Sequence, residues 1–275
     1  PHVAGGPPIL EVAHLTHRYA DGPSAVDDVS VTIGAGEMIA LVGRNGSGKT
    51  TLAKHLNGLL RAGAGSVRLD GADNATLPLD RVAQQVGYVF QNPDDQLFAA
   101  TVADEIAFGP QNFGLAGDAL AARVDEVLAA VDLAARRDDD PFLLSKGERQ
   151  RLAVATVLAM APRVLILDEP TTGLDYPQQR RMLELLVTLR RGGTTVVLIT
   201  HSPWVVAEYA ERVLLMHEGR LVFDGAFAAF VADPALRRAA AFEPPPATML
   251  GLAFGRATRT VDELVRALDL PAAPA

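Results

Sequence analysis

Eight consecutive residues, Gly43-Arg44-Asn45-Gly46-Ser47-Gly48-Lys49-Thr50, match the spacing G-x-x-x-x-G-K-[ST] in full. Glycines at 43, 46 and 48 let the backbone curl until its N–H groups converge on an anion. The positive end of a following helix adds to that attraction. Lys49 supplies a point charge for β- and γ-phosphates, and Thr50 offers its hydroxyl to Mg2+, a hard ion that wants oxygen ligands. Thr51 follows directly in the same helical stretch. A second cluster, Val164-Leu165-Ile166-Leu167-Asp168-Glu169, sets two carboxylates at the end of four apolar residues. Ligands of open α/β sheets bind outside the carboxyl ends of the strands. Asp168 is therefore placed to hold Mg2+, and Glu169 to orient and deprotonate an attacking water.

Such groups need a strand before each of them and a helix behind the glycine loop. The pattern supplies both: Met38–Val42 is a compact apolar run and Lys49 to Leu60 is helical in character. Strand-like and helix-like segments alternate, the mark of an α/β domain with a parallel sheet. Ile9–Val12 and Val29–Ile33 read as short edge strands, and Val86–Phe90 as a further strand. Leu120, Val124, Val127, Leu128 and Val131 form a helical stripe, and Ser145–Met160 is again helical. Val164–Leu167 and Thr194–Ile199 have the density of buried parallel strands. Arg212–Met216 and Arg220–Phe223 flank Glu218-Gly219 as a hairpin. Beyond about Asp233 the character changes. Pro244, Pro245 and Pro246 make a break, and Thr260-Val261-Asp262-Glu263 fits a capping box opening a helix to Leu268. The expected division is a cassette over 1–235 and a small extension over 236–275.

Composition narrows the function classes. The 275 residues are 49% apolar and 21% charged, with 33 acidic against 25 basic residues and a net charge of −8. That is a folded chain, and an acidic one is poorly suited to sequence-independent nucleic-acid binding. There is no cysteine. This excludes a disulfide scaffold, an all-cysteine zinc site, an iron–sulfur cluster and a thiol nucleophile, and it suits a reducing cytoplasm. The longest apolar run, Leu152–Ala161, falls far short of the ~20 residues of a spanning helix. The first residue is Pro rather than Met, and no signal peptide is legible at the start. A soluble protein is expected.

Further motifs stand in order around the two clusters, and with them the chain resembles the nucleotide-binding subunit of an ABC transporter over about residues 9–235. Leu144-Ser145-Lys146-Gly147-Glu148 occupies the signature position, and Gly173-Leu174-Asp175 matches the D-loop. His201, after Val196–Ile199, matches the switch histidine, Gln91 after Val89-Phe90 the Q-loop, and Tyr19 an aromatic stacked on adenine. The resemblance implies a P-loop cassette with a RecA-like core, an antiparallel β subdomain, a helical subdomain at about 94–160 and the C-terminal extension. It implies ATP and Mg2+ buried between two head-to-tail subunits. Lys49, Gly43, Asn45, Gly46, Ser47, Gly48, Thr50 and Thr51 would hold the phosphates. Thr50, Asp168 and Gln91 would hold Mg2+, and Glu169, His201 and Gln91 would serve catalysis. Ser145 and Gly147 of the second subunit would cap the γ-phosphate, and Asp175 would bridge the pair. Lys146 and Glu148 depart from the commonest signature, LSGGQ.

Phe90-Gln91-Asn92-Pro93-Asp94-Asp95-Gln96-Leu97-Phe98, Thr101-Val102 and Phe108-Gly109-Pro110 look like the energy-coupling factor and cobalt/nickel importer branch. There, Asp94 and Asp95 would receive arginines of a transmembrane scaffold subunit, beside a substrate-capturing membrane subunit. The implied protein is an ATP-hydrolysing subunit, peripheral on the cytoplasmic face of the membrane, paired with an identical or a paralogous ATPase. A conventional ABC importer ATPase is the alternative, and a soluble ABC ATPase acting on nucleic acid or ribosomes a remoter one. Tyr19 is balanced between adenine stacking and simple packing. His2, His14, His17, His55 and His217 read as structural, Trp204 as core, and Phe90, Phe98, Phe108 and Phe113 as core or interface.

Overall fold

The architecture is that of a computed structural model describing residues 6–20 and 22–268; His2 lies outside them. In chain order the elements are β1 (Pro8–Arg18), β2 (Ser24–Gly34), β3 (Met38–Val42), α1 (Lys49–Leu56), β4 (Ala64–Leu69), β5 (Ala72–Asp73), α2 (Leu79–Gln85) and β6 (Val86–Val89). There follow α3 (Val102–Asn112), α4 (Gly117–Ala130), α5 (Lys146–Leu158), β7 (Val164–Asp168), α6 (Tyr176–Arg191), β8 (Thr195–Ile199), α7 (Pro203–Tyr209) and β9 (Arg212–His217). The last are β10 (Arg220–Ala226), α8 (Phe227–Ala232), α9 (Pro234–Ala240), α10 (Pro246–Ala253) and α11 (Val261–Ala267).

Two sheets carry the site. The larger has the order β10-β9-β3-β8-β7-β6, all parallel except β10, which returns antiparallel to β9. The smaller is antiparallel, in the order β2-β1-β4-β5. Every residue of β3, β7 and β8 is buried, which is why these strands read as unbroken apolar runs. Alternate residues feed opposite cores. Ile39, Leu41, Ile166 and Val197 meet Leu10, Leu15 and Ile33 of the antiparallel sheet. Leu165, Leu167, Val196 and Leu198 meet the helices α3 to α6. Ala40, Val42, Val213 and Leu215 meet α7, α8 and α9. The two sheets are also joined by the buried Arg212 on β9. Its guanidinium donates to Glu37 at 2.8 Å, to Asp224 at 2.6 Å and to the Thr32 carbonyl at 3.0 Å.

Several sequence expectations need correction. β1 is no edge strand, since it pairs with both β2 and β4. Both β1 and β2 run for 11 residues. His14 (φ 51) and Asp28 (φ 52) face each other at 2.8 Å inside a register shift. That bulge breaks the two-residue alternation and hides the far half of each strand. Helix α1 stops at Leu56 instead of Leu60. The Asn74 amide donates to the His55 and Leu56 carbonyls at 3.2 and 3.4 Å, and Gly58 turns the chain at φ 78. The hairpin turn forms as expected, with Glu218 and Gly219 both at positive φ.

In the extension, Pro246 opens α10 at a position where its missing N–H costs nothing. Thr260 caps α11 by accepting from the Glu263 N–H, but the Glu263 carboxylate reaches past Thr260 to the Arg259 N–H at 2.7 Å. The reciprocal half of the capping box is therefore displaced by one residue. The extension lies on the cassette: Phe242 meets Phe230 edge-on at 5.1 Å, and Arg259 donates to the Ala210 carbonyl at 2.7 Å.

Candidate functional site

The glycine loop leaves β3 at the middle of the large sheet and enters α1. A Cβ on Gly43 would stand 2.2 Å from the Met216 carbonyl oxygen, and one on Gly48 (φ 101) 2.2 Å from that of Ala25. Only glycine lets the loop lie between β9 and β2 so closely. No side chain caps α1, so its first N–H groups are left to face the loop. Lys49 is buried and donates to the Gly43 and Arg44 carbonyls at 2.8 and 2.9 Å. Burial holds its pKa below the ordinary lysine value, against the opposing pull of Asp168 and Glu169.

Strand β7 delivers Asp168 and Glu169 alongside. The Thr50 hydroxyl donates to Asp168 Oδ2 at 2.9 Å, and the Tyr88 hydroxyl donates to the same oxygen at 3.1 Å. Burial, with Asp168 beside it, raises the Tyr88 phenol well above its ordinary value, so it stays a donor. Glu169 sits at φ 51, its N–H fixed on the Ile199 carbonyl at 2.9 Å. Burial, then the Asp168 charge, pushes its carboxyl up to about 7. His201 Nε2 lies 3.5 Å from Glu169 Oε1, and burial followed by Lys49 holds the imidazole below its usual value. A titratable pair poised by its surroundings in this way is what proton transfer near neutral pH requires.

Tyr19, Asn45, Gly46, Ser47, Gly48, Lys49, Thr50, Thr51, Gln91, Asp168, Glu169 and His201 all line one concavity of about 530 Å3. Two polar atoms there are buried without a partner: Ser47 Oγ and Glu169 Oε1. Buried polar groups are ordinarily satisfied. The Ser47 hydroxyl can donate to an oxygen-rich ligand approaching the loop, and Glu169 Oε1 can accept from a donor such as a water. Thr50 and Asp168 likewise offer the hard oxygens that suit Mg2+. Among the described residues no three His, Asp or Glu side chains are arranged to hold a metal unaided.

Ser145, Gly147, Asp175, Asp94 and Asp95 stand apart from this concavity. Ser145 caps α5 in a complete capping box. Glu148 Oε2 receives both the N–H and the hydroxyl of Ser145, at 2.8 and 2.7 Å, while its other oxygen faces Arg136 at 3.3 Å. Those bonds hold the Glu148 carboxyl below the ordinary glutamate value. A Cβ on Gly147 would come within 3.0 Å of Gln178, so glycine lets α5 close on the Gly173–Asp175 loop. Lys146 lays its stem over Gly173. Asp175 in turn caps α6, accepting from the Gln178 N–H at 2.8 Å. Asp94 sits in a single helical turn, Pro93–Asp95, and forms an ion pair with Arg149 at 2.8 Å. Arg149 also donates to the Leu144 carbonyl at 2.6 Å. Asp95 accepts from Asn92 at 3.0 Å.

Three further residues shape the site without announcing themselves in the sequence. Tyr88 is an apolar-looking position inside a strand. Gln96 accepts from the Phe90 N–H at 3.1 Å and donates to the Ala153 carbonyl at 2.8 Å, tying the Gln91 loop to α5. Glu105 is buried, and its carboxylate takes the N–H groups of Phe98 and Ala99. It thereby holds Phe98 and Phe108 in edge contact at the surface, where both are exposed rather than in a core. Trp204 is half-buried, packed against the helical core and standing in a row between Tyr176 and Tyr209.

The fold and site define a P-loop nucleotide-binding cassette. Residues 26–172 match the ABC transporter family, and the chain belongs to it. It is 45% identical over 260 residues to a putative ABC transporter ATP-binding protein of Caldanaerobacter subterraneus, covering 94% of this chain and 46% of that protein. The chain thus spans about half the length of the first curated relatives it matches. It is 42% identical to the cobalt import ATP-binding protein of Rhodobacter capsulatus, covering 91% of this chain and 89% of the relative. With an energy-coupling factor transporter ATP-binding protein of Methanothermobacter thermautotrophicus the identity is 40%, over 86% and 77%. Among solved structures, CbiO1 of Clostridium perfringens, part of the ABC transporter complex CbiONQ, superposes with a TM-score of 0.73 at 36% identity, covering 80% of this chain and 88% of that one.

Proposed function

We propose that this chain is an ATP-hydrolysing subunit that energises a membrane importer of the energy-coupling factor type, for a vitamin or a cobalt or nickel ion. The observation that carries the ATPase reading is the convergence of Lys49, Thr50, Asp168, Glu169, His201 and Gln91 on one concavity behind a glycine loop. The names of the cobalt-import and energy-coupling relatives support the transport reading.

In this reading the loop N–H groups, Ser47 and Lys49 bind the β- and γ-phosphates, and Tyr19 stacks on the adenine. Thr50, Asp168 and Gln91 would hold Mg2+, which when bound offsets the negative charge of the phosphates. Glu169 takes the proton of the attacking water, helped by a burial that raises its basicity. His201 contacts the γ-phosphate or that water. Ser145 and Gly147 of a second ATPase subunit, identical or paralogous, close over the γ-phosphate, and Asp175 bridges the two. Asp94 and Asp95 receive guanidinium groups of a transmembrane scaffold, which also carries a substrate-capturing subunit. The extension, with Met249, Leu250 and Phe254 exposed, helps hold the ATPase pair together. No helix among the described residues is long and apolar enough to cross a membrane, in keeping with attachment to the cytoplasmic face through membrane subunits.

The test is affinity capture of the chain from detergent-solubilised membranes of its own source, with mass spectrometry of what accompanies it. A small multi-span scaffold plus a second integral membrane protein is the expected result. Two large permeases would replace the energy-coupling reading with a conventional importer. Ribosomes or nucleic-acid proteins alone would overturn transport.

A further inference from the structure

Five side chains outside the concavity join the helix that follows Asp175 to the helix that follows His201. α6 starts at Tyr176 and α7 at Pro203, so each is the direct continuation of one loop. Across the gap, the Arg180 guanidinium pairs with Glu208 and donates to the Tyr209 hydroxyl at 3.2 Å. It also lies 5.9 Å from the Tyr176 ring centroid and 6.0 Å from that of Trp204. Tyr176 and Trp204 are themselves in contact at 5.4 Å, and Trp204 and Tyr209 at 6.0 Å. One planar cation therefore serves two rings, a carboxylate and a phenol, partners distributed over both helices. A guanidinium can do all of this at once, and an ammonium cannot. Tyr176 remains largely exposed while Trp204 and Tyr209 pack against the helical core, so the row runs from that core to the surface.

We propose that Arg180 is a positioning residue for the hydrolysis reaction, clasping α6 to α7 so that the Asp175 loop and the His201 loop move as one body. The proposal rests on the roles given above to Asp175 and His201. A displacement of His201 by the γ-phosphate is then carried to Asp175 in the same subunit. Packed side chains and hydrogen-bonded networks joining rigid elements can carry coupling between sites, and the clasp is such a network. Its position does not touch nucleotide, so losing it should slow turnover and spare binding.

The experiment compares steady-state ATP hydrolysis and thermal stability of the full chain with its Arg180→Met, Arg180→Lys, Asp175→Ala and His201→Ala variants. Arg180→Met keeps the aliphatic stem and removes the fork. The expected result is a kcat lowered about tenfold with KM within about twofold and Tm nearly unchanged, Arg180→Lys falling between. Unchanged kcat in Arg180→Met, while Asp175→Ala and His201→Ala are slow, overturns the clasp and leaves the site reading intact. Unchanged kcat in Asp175→Ala and His201→Ala overturns the site reading and the clasp with it. Where Arg180→Met also lowers Tm, Arg180→Lys decides. Tm restored without kcat supports the clasp, and both restored together make Arg180 a structural residue only.

Discussion

The nucleotide concavity and the signature end of α5 both place small polar residues at a helix start, yet only the second has its helix capped by a side chain. At the concavity, Ser47 Oγ and Glu169 Oε1 are buried and unsatisfied, and α1 has no side-chain cap. At the signature, Ser145 and Glu148 cap each other and Asp175 and Gln178 do the same on α6, while the Gln150 amide, two residues further along α5, is buried without a partner for either polar atom. The first region holds polar groups at a cost in stability that a ligand can recover. The caps of the second are already paired within their own chain, so a group docking on Ser145 or Asp175 would have to displace a partner.

The largest effect tests the concavity. Glu169→Gln keeps the shape and removes the base, so hydrolysis should fall by roughly 10^2 to 10^4-fold while MgATP stays bound and the subunits stay paired. Retained turnover, measured by phosphate release, would remove Glu169 from the chemistry. Next, Lys49→Ala deletes a charge-assisted contact worth about 1.5–3 kcal/mol, a loss of roughly tenfold to a hundredfold in nucleotide affinity, readable with a fluorescent ATP analogue. The contrast between the regions is sharpest in a pair of serines. Ser145→Ala loses an N-cap and should cost about 1 kcal/mol of folding stability. Ser47→Ala removes an unpartnered hydroxyl and should leave stability unchanged or raised, while weakening ATP binding. Equal losses from the two in denaturant unfolding would dissolve the distinction. The smallest change is Tyr88→Phe, which frees Asp168 Oδ2 of one donor at about 1 kcal/mol. The affinity for ATP measured with Mg2+ should then differ from the parent's, and the affinity measured without Mg2+ should not.

The glycine loop, the carboxylate pair and the buried strands are legible because each is a local run of residues with one physical purpose. The parts that escape are those fixed by partners distant in sequence. Tyr88 looks like any strand aromatic until Asp168, 80 positions on, meets its hydroxyl. Glu105 and Gln96 resemble surface residues, and only their reach to backbone groups explains them. The far halves of β1 and β2 are hidden by the bulge at His14 and Asp28, where alternation fails. Phe98 lies exposed and Trp204 only half-buried against the core, because hydrophobicity alone does not say which face a short element shows. Glu148 departs from the common signature by carrying a charge, and that charge turns back onto its own helix.

The pair between Asp94 and Arg149 changes what an arriving arginine would encounter. Its carboxylate is not bare: docking there is a swap of one guanidinium for another, with no net gain in neutralised charge. Such a swap should respond to added salt far less steeply than attraction to an open acidic surface. Arg149 is also hydrogen-bonded to the Leu144 carbonyl, one residue before Ser145. Its new position would therefore register at the start of α5, and a tug at the membrane side would reach the signature through a single side chain.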